Sequence, residues 1–207
     1  AAAEAEPEAE TAVDAEEKPK PKRTRSTSSS SRSRKPKTDE AAAAQQGAMI
    51  AVQAGVDALR ELLAGETEVV IANDNAPDEV VLVGSVAAVD AFVAKLDQAG
   101  LRSMRLPVAT AFHSSIVASS CAPFRGYLES VDWSPSDADV FANVSAAPYP
   151  ADAAAAQQLL SEQLASSVRF RETIEAMYEA GARTFVEVGP GRILRKLVGR
   201  CLGDRPH

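Results

Sequence analysis

The chain is poor in the residues from which many functional sites are built. Aromatic side chains make up 5% of its 207 residues, and histidine occurs twice, at position 113 and at the terminal position 207. The two cysteines, Cys121 and Cys201, lack the paired spacing of a zinc site, and we expect free thiols in a reducing cytoplasm rather than a disulfide. No apolar run approaches the ~18 residues of a membrane span, and the first residues are Ala/Glu-rich rather than basic and then apolar. A membrane partner and a secretory signal are therefore not expected. A Gly-x-Ser-x-Gly turn, which would expose a nucleophilic serine, is also absent.

Charge is unevenly placed. Residues 1–40 hold nine acids and nine bases, so the formal net charge of -7 falls on residues 41–207. An acidic folded region argues against nucleic acid as its ligand. Between Val13 and Met49 there is no large apolar residue, while Lys18–Lys37 is basic and serine-rich. Such a segment cannot offset the entropy of ordering, so residues 1–46 are expected to form a disordered low-complexity linker.

What remains is a patterned α/β sequence rich in Ala, Val and Leu. Over residues 47–107 the pattern predicts a ferredoxin-like β-α-β-β-α-β unit. Its strands are expected at 48–52, 68–72, 79–83 and 101–106. Its helices should start near Val56 and after Ser85 and stop at Gly65 and Gly100. Asn73-Asp-Asn-Ala-Pro-Asp78 has the composition of a turn.

Residues 108–207 predict one helix over 116–131, bent near Pro123, and others over 153–165, from Val168 and over 193–201. Val140–Val144 and Thr184–Val188 read as short strands, the second buried. Gly189-Pro-Gly-Arg between a strand and a helix has the form that aims backbone N–H groups at an anion.

The most informative stretch is Leu106-Pro-Val-Ala-Thr-Ala-Phe-His-Ser-Ser115. A single imidazole where a strand gives way to a helix suits a general base, although without further context a hydrogen-bonded structural histidine is the commoner case.

Six short motifs weigh on that choice: Gly47-Ala-Met, Asn75-Ala-Pro, Val83-Gly-Ser, Ala111-Phe-His-Ser, Ser167-Val-Arg-Phe and Phe185-Val-Glu-Val-Gly-Pro-Gly. In this order and spacing, residues 47–203 resemble the C-terminal half of an acyl-carrier-protein acyltransferase domain. The family is that of the malonyl-CoA:acyl-carrier-protein transacylases of fatty acid, polyketide and polyunsaturated fatty acid synthases. The resemblance implies a ferredoxin-like small subdomain over 47–107, set in an α/β-hydrolase-like large subdomain whose C-terminal part is 108–207.

The resemblance also implies roles. His113 corresponds to the catalytic base, and Gln163 to the residue whose main chain orients it. Phe112 matches the choice of malonyl-type members, while Thr110 stands where those members often have histidine. Asn75 is expected to line the cleft between subdomains. The implied substrate is a coenzyme A thioester with no permanently bound cofactor or metal, and the implied partner is acyl carrier protein. The serine elbow, the oxyanion-hole segment and the carboxylate-binding arginine of that family have no counterpart here.

Two expectations follow: acyl transfer with the missing N-terminal half or neighbouring synthase modules, or a non-catalytic remnant that docks carrier protein. A third is an interaction made through the charged residues 1–40.

Overall fold

The structure is a computed structural model and describes residues 47–108 and 110–207. The linker expected over 1–46 lies outside the described residues.

Four strands, β1 (Gly47–Val52), β2 (Val69–Ala76), β3 (Glu79–Ser85) and β4 (Ser103–Arg105), form one antiparallel sheet in the order β2-β3-β1-β4. Helices α1 (Val56–Leu63) and α2 (Val86–Gln98) connect β1 to β2 and β3 to β4. This succession and strand order are those of a split β-α-β unit. Ser85 caps α2 by accepting from the Ala88 N–H at 3.2 Å, and Gly65 and Gly100 follow the two helices at φ 78° and 71°.

Alternation sorts the strand residues onto two faces. Ala48, Ile50, Val52, Val80 and Leu82 pack with Leu59 of α1 and with Val89, Phe92 and Leu96 of α2. On the opposite face Met49, Val81, Val83 and Ala72 pack with Ala111, Leu106 and Ile116. Both faces are therefore covered, which explains why β1 and β3 are nearly continuous in apolar residues despite being antiparallel.

A third core joins Ala76 at the end of β2 to α5 (Phe170–Glu179) and α6 (Ile193–Leu202), through Ile174, Leu197, Val198 and Leu202. Before these helices come α3 (Cys121–Leu128), a hairpin of β5 (Phe141–Ala142) with β6 (Ala147–Pro148), and α4 (Ala153–Glu162). Among the described residues, no helix is long and apolar enough to cross a membrane.

Several boundaries differ from expectation, each for a physical reason. Asn73–Ala76 is strand, so only Pro77-Asp78 turns. Its turn-forming composition is overridden because Asp74 N–H donates to Val168 O at 2.9 Å and Val168 N–H donates to Ala72 O at 2.8 Å. The Asp74 carboxylate, 7% exposed, also takes Arg171 Nη2 at 2.8 Å and Nε at 3.1 Å.

The helix expected over 116–131 is a 3-10 helix, Ser115–Ser120, followed by α3. Pro123 sits in the first turn of α3, where its missing N–H breaks no helical bond. The strand expected over 140–144 shrinks to the two residues of β5.

Thr184–Val188 forms no strand, and Val186 and Val188 are 78% and 95% exposed. Apolar composition had suggested burial, but no strand among the described residues pairs with this segment.

Candidate active site

The segment after β4 is pinned on both sides of Phe112 and His113. Before them, fully buried Ala111 is packed so tightly on Gly47 that an ideal Cβ on the glycine would lie 2.3 Å from Ala111 Cβ. After them, the buried Ser114 donates its hydroxyl to Ala111 O at 2.7 Å and accepts from Ile116 N–H at 3.3 Å, starting the 3-10 turn. Phe112 is left 47% exposed and His113 half-buried. His113 adopts φ 61°, a left-handed conformation uncommon for a residue with a side chain.

That backbone strain is offset by three hydrogen bonds to one turn of chain. His113 N–H donates to Leu164 O at 3.0 Å, and Nδ1 lies 3.1 Å from both Gln163 O and Ser166 O. These carbonyls belong to the end of α4 and the loop after it, where a helix leaves C=O groups without internal partners. Carbonyl oxygens only accept, so Nδ1 carries the hydrogen. Nε2 is then the ring nitrogen with a free lone pair, able to take a proton.

The platform under the ring is itself tied to the sheet. Ser167 Oγ donates to Ile71 O, and Val168 pairs in parallel with Asn73 along the edge of β2. At its other end α4 is capped by Asp152, which accepts from Ala155 N–H at 2.8 Å. Three nearby serine hydroxyls are already engaged: Ser114 on Ala111 O, Ser166 on Glu162 O at 2.8 Å and Ser167 on Ile71 O.

The residues singled out from sequence fall into two groups. His113, Phe112 and the Gln163 carbonyl come together, with the Phe112 and His113 ring centroids 6.5 Å apart. Asn75 sits on the far half of β2, its side-chain Nδ2 donating to Glu79 Oε1 at 3.2 Å and its main-chain O accepting from Cys201 Sγ at 3.4 Å.

The glycine turn at 189–191 leads to an anion of the chain's own. The Glu187 carboxylate takes the N–H groups of Leu194 (3.3 Å) and Arg195 (3.0 Å), and these bonds hold it below the usual carboxylate range.

Sequence reasoning missed the Leu164 and Ser166 carbonyls and the Glu187 cap. Every residue has a carbonyl, so the first two carry no compositional signal; a glutamate shortly before a helix start is a signal for the third. Burial pushes the Cys201 thiol up to about 11, which suits a packing role. No group of three or more His, Cys, Asp or Glu among the described residues could hold a metal. A cavity of about 440 Å³ between Trp133, Val140, Tyr149 and Leu160 is built by other residues and includes neither His113 nor Phe112.

Residues 9–204 match the family model described as the acyl transferase domain. The chain is 36% identical over 169 residues to a polyunsaturated fatty acid synthase subunit of Thraustochytrium sp., covering 81% of this chain and 6% of that protein. It is 36% identical over 167 residues to the malonyl CoA-acyl carrier protein transacylase of Synechocystis sp., covering 80% of this chain and 56% of the enzyme.

The crystal structure of the corresponding transacylase from Burkholderia pseudomallei superimposes with a TM-score of 0.71 at 30% identity, covering 82% of this chain and 60% of that one. This chain thus spans about half the length of such stand-alone transacylases. With the family model matched over most of its length, the chain belongs to the acyl transferase domain family.

Proposed function

We propose that this chain carries the base of an acyltransferase that moves an acyl group, malonyl by preference, from coenzyme A to an acyl carrier protein. The observation that carries the reading is the fixed tautomer of His113, with Nδ1–H spent on two carbonyls and Nε2 left to accept a proton. In finer architecture, 47–107 corresponds to the ferredoxin-like small subdomain and 108–207 to the C-terminal part of the large one.

The nucleophile is a serine of the remainder of the domain. Nε2 takes the serine proton as its Oγ attacks the thioester carbonyl. The C–S bond then breaks, and the departing coenzyme A sulfur receives that proton from the imidazolium. In the second half-reaction the carrier thiol gives its proton to Nε2 and its sulfur attacks the acyl-serine ester. Collapse returns the proton to the serine oxygen. Throughout, Gln163 O and Ser166 O face the charge that develops on the ring. The exposed Phe112 ring beside the base narrows the space for a branched acyl chain, which supports malonyl.

The test is a chimera in which residues 47–204 replace the matching part of the Synechocystis transacylase. Malonyl transfer from malonyl-CoA to carrier protein is expected, and His113→Ala should lower it by about 10³-fold or more. Equal transfer by the alanine variant would refute the role of His113. A folded chimera that binds carrier protein without transferring malonyl would instead mark a docking remnant.

A further inference from the structure

The cavity beside the β5–β6 hairpin takes no part in the site around His113. Its volume of about 440 Å³ suits a compact organic molecule, and its lining includes Ala156 and Leu160 of α4. The chain's single tryptophan and one of its three tyrosines, Trp133 and Tyr149, line it together. The walls are fixed before any guest arrives. Trp133 Nε1 donates to Leu128 O at 3.2 Å, Tyr149 N–H to Val140 O at 2.8 Å and Ala138 N–H to Ser136 Oγ at 3.3 Å. With its one donor spent, the indole offers a guest only π-surface. The Tyr149 hydroxyl, by contrast, has no hydrogen-bond partner among the described residues, and burial raises the phenol above its ordinary value. Charge around the opening is of one sign. Among the described residues no lysine, arginine or histidine lines the cavity, whereas Asp139 does and is exposed. Asp132 and Asp137 are exposed in the same loop, and none of these three acids forms an ion pair among the described residues.

We propose that this cavity is a binding site for a compact apolar amine in its ammonium form. The site stands apart from His113 and does not rest on the acyl-transfer reading. Val140, Ala156 and Leu160 take up the apolar body, which leaves water on entry. The rings of Trp133 and Tyr149 attract the positive charge, and the Asp139 carboxylate pairs with it. The unengaged phenol oxygen accepts a hydrogen of the ammonium group. A neutral alcohol of the same shape keeps the burial and loses the charge. A carboxylate of that shape meets three aspartates of its own sign. Coenzyme A thioesters, which are anionic, are turned away on the same ground.

The series 1-adamantylamine, 1-adamantanol and 1-adamantanecarboxylate tests this, because one rigid apolar cage carries a positive, a neutral or a negative group. Binding to the full chain at pH 7 is read by calorimetry and by emission of Trp133, the chain's only indole. The amine should bind with a Kd of about 10⁻⁴ M. The alcohol should bind about fivefold more weakly or worse, and the carboxylate not measurably at about 10 mM. Asp139→Asn should bring amine and alcohol within about twofold of each other. Ala156→Leu, which fills the cavity, should abolish binding of both. The chimera should bind the amine as the chain alone does. Equal affinity for amine and carboxylate, an amine preference untouched by Asp139→Asn, or no binding of the amine at about 10 mM would overturn the inference. Loss of binding in a folded chimera would overturn it too, by showing that the remainder of the domain fills the cavity.

Discussion

Replacing Gly47 with alanine tests the contact that holds the His113 segment against the sheet. The new methyl would sit 2.3 Å from Ala111 Cβ, 3.2 Å from Ala111 Cα and 3.0 Å from Gly84 O. Carbon atoms rest at ~3.5–4.0 Å, so the two methyls must part by more than an ångström between a buried strand and a fully buried Ala111. Overpacking of this kind costs about 1–3 kcal/mol, or roughly 2–12 °C in Tm for a fold of this size. Ala111→Gly alone loses a buried methyl and gains backbone freedom, together about 1–2 kcal/mol. If the methyl–methyl clash dominates, the double variant should cost little more than Ala111→Gly alone. Some penalty should persist, because the contact with Gly84 O is untouched by the second change. Urea unfolding of the four proteins gives the coupling energy, expected at about 1 kcal/mol or more. Additivity within ~0.3 kcal/mol, or a neutral Gly47→Ala, would refute this account of why β1 begins with glycine.

Two further outcomes follow from the charged and thiol groups. Arg205 holds the Glu175 carboxylate, and Arg169 the Glu172 carboxylate, below the ordinary value of 4.5. Acids lowered by folding stabilise fully above that value and lose their contribution as pH falls through the folded-state pKa. The urea midpoint should therefore decline below about pH 4.5, and Glu175→Gln should make the decline shallower; parallel declines would contradict it. Cys201 is 7% exposed with its thiol pushed up to about 11, whereas Cys121 is only half-buried. Iodoacetamide at pH 8 should label Cys121 and spare Cys201 in the native state, as read by peptide mass spectrometry. Comparable labelling of both would show that the core around α6 opens readily.

The sheet was legible in the sequence because local signals agree there: short apolar runs, Ser85 as a cap, and Gly65 and Gly100 as stops. Legibility failed wherever a distant partner decided the outcome. Asn73–Ala76 has turn composition, yet it is drawn into β2 by Val168 and Arg171, almost a hundred residues away. The valines of 184–188 announce burial, but burial needs a neighbouring strand that the described residues do not supply. His113 stood out because the chain spends its histidines so sparingly. The carbonyls that orient it have no signature of their own, and Gln163 was identified through resemblance alone. The capping of α6 by Glu187 turned an apparent anion site into an internal contact.

Strand β2 runs through all three cores. Val69 packs against the helix-covered face, Ala72 against the opposite face, and Ala76 against α5 and α6. A single strand threaded through three cores makes a poor hinge. Any bend in it would fall at its register irregularities, Ile71/Asn73 and Asp74/Ala76. Ser167 and Val168 hold the first of these, and the Asp74–Arg171 ion pair holds the second. Ala111, packed on the same face as Ala72, consequently ties the Phe112–His113 segment to a strand that is held along its whole length.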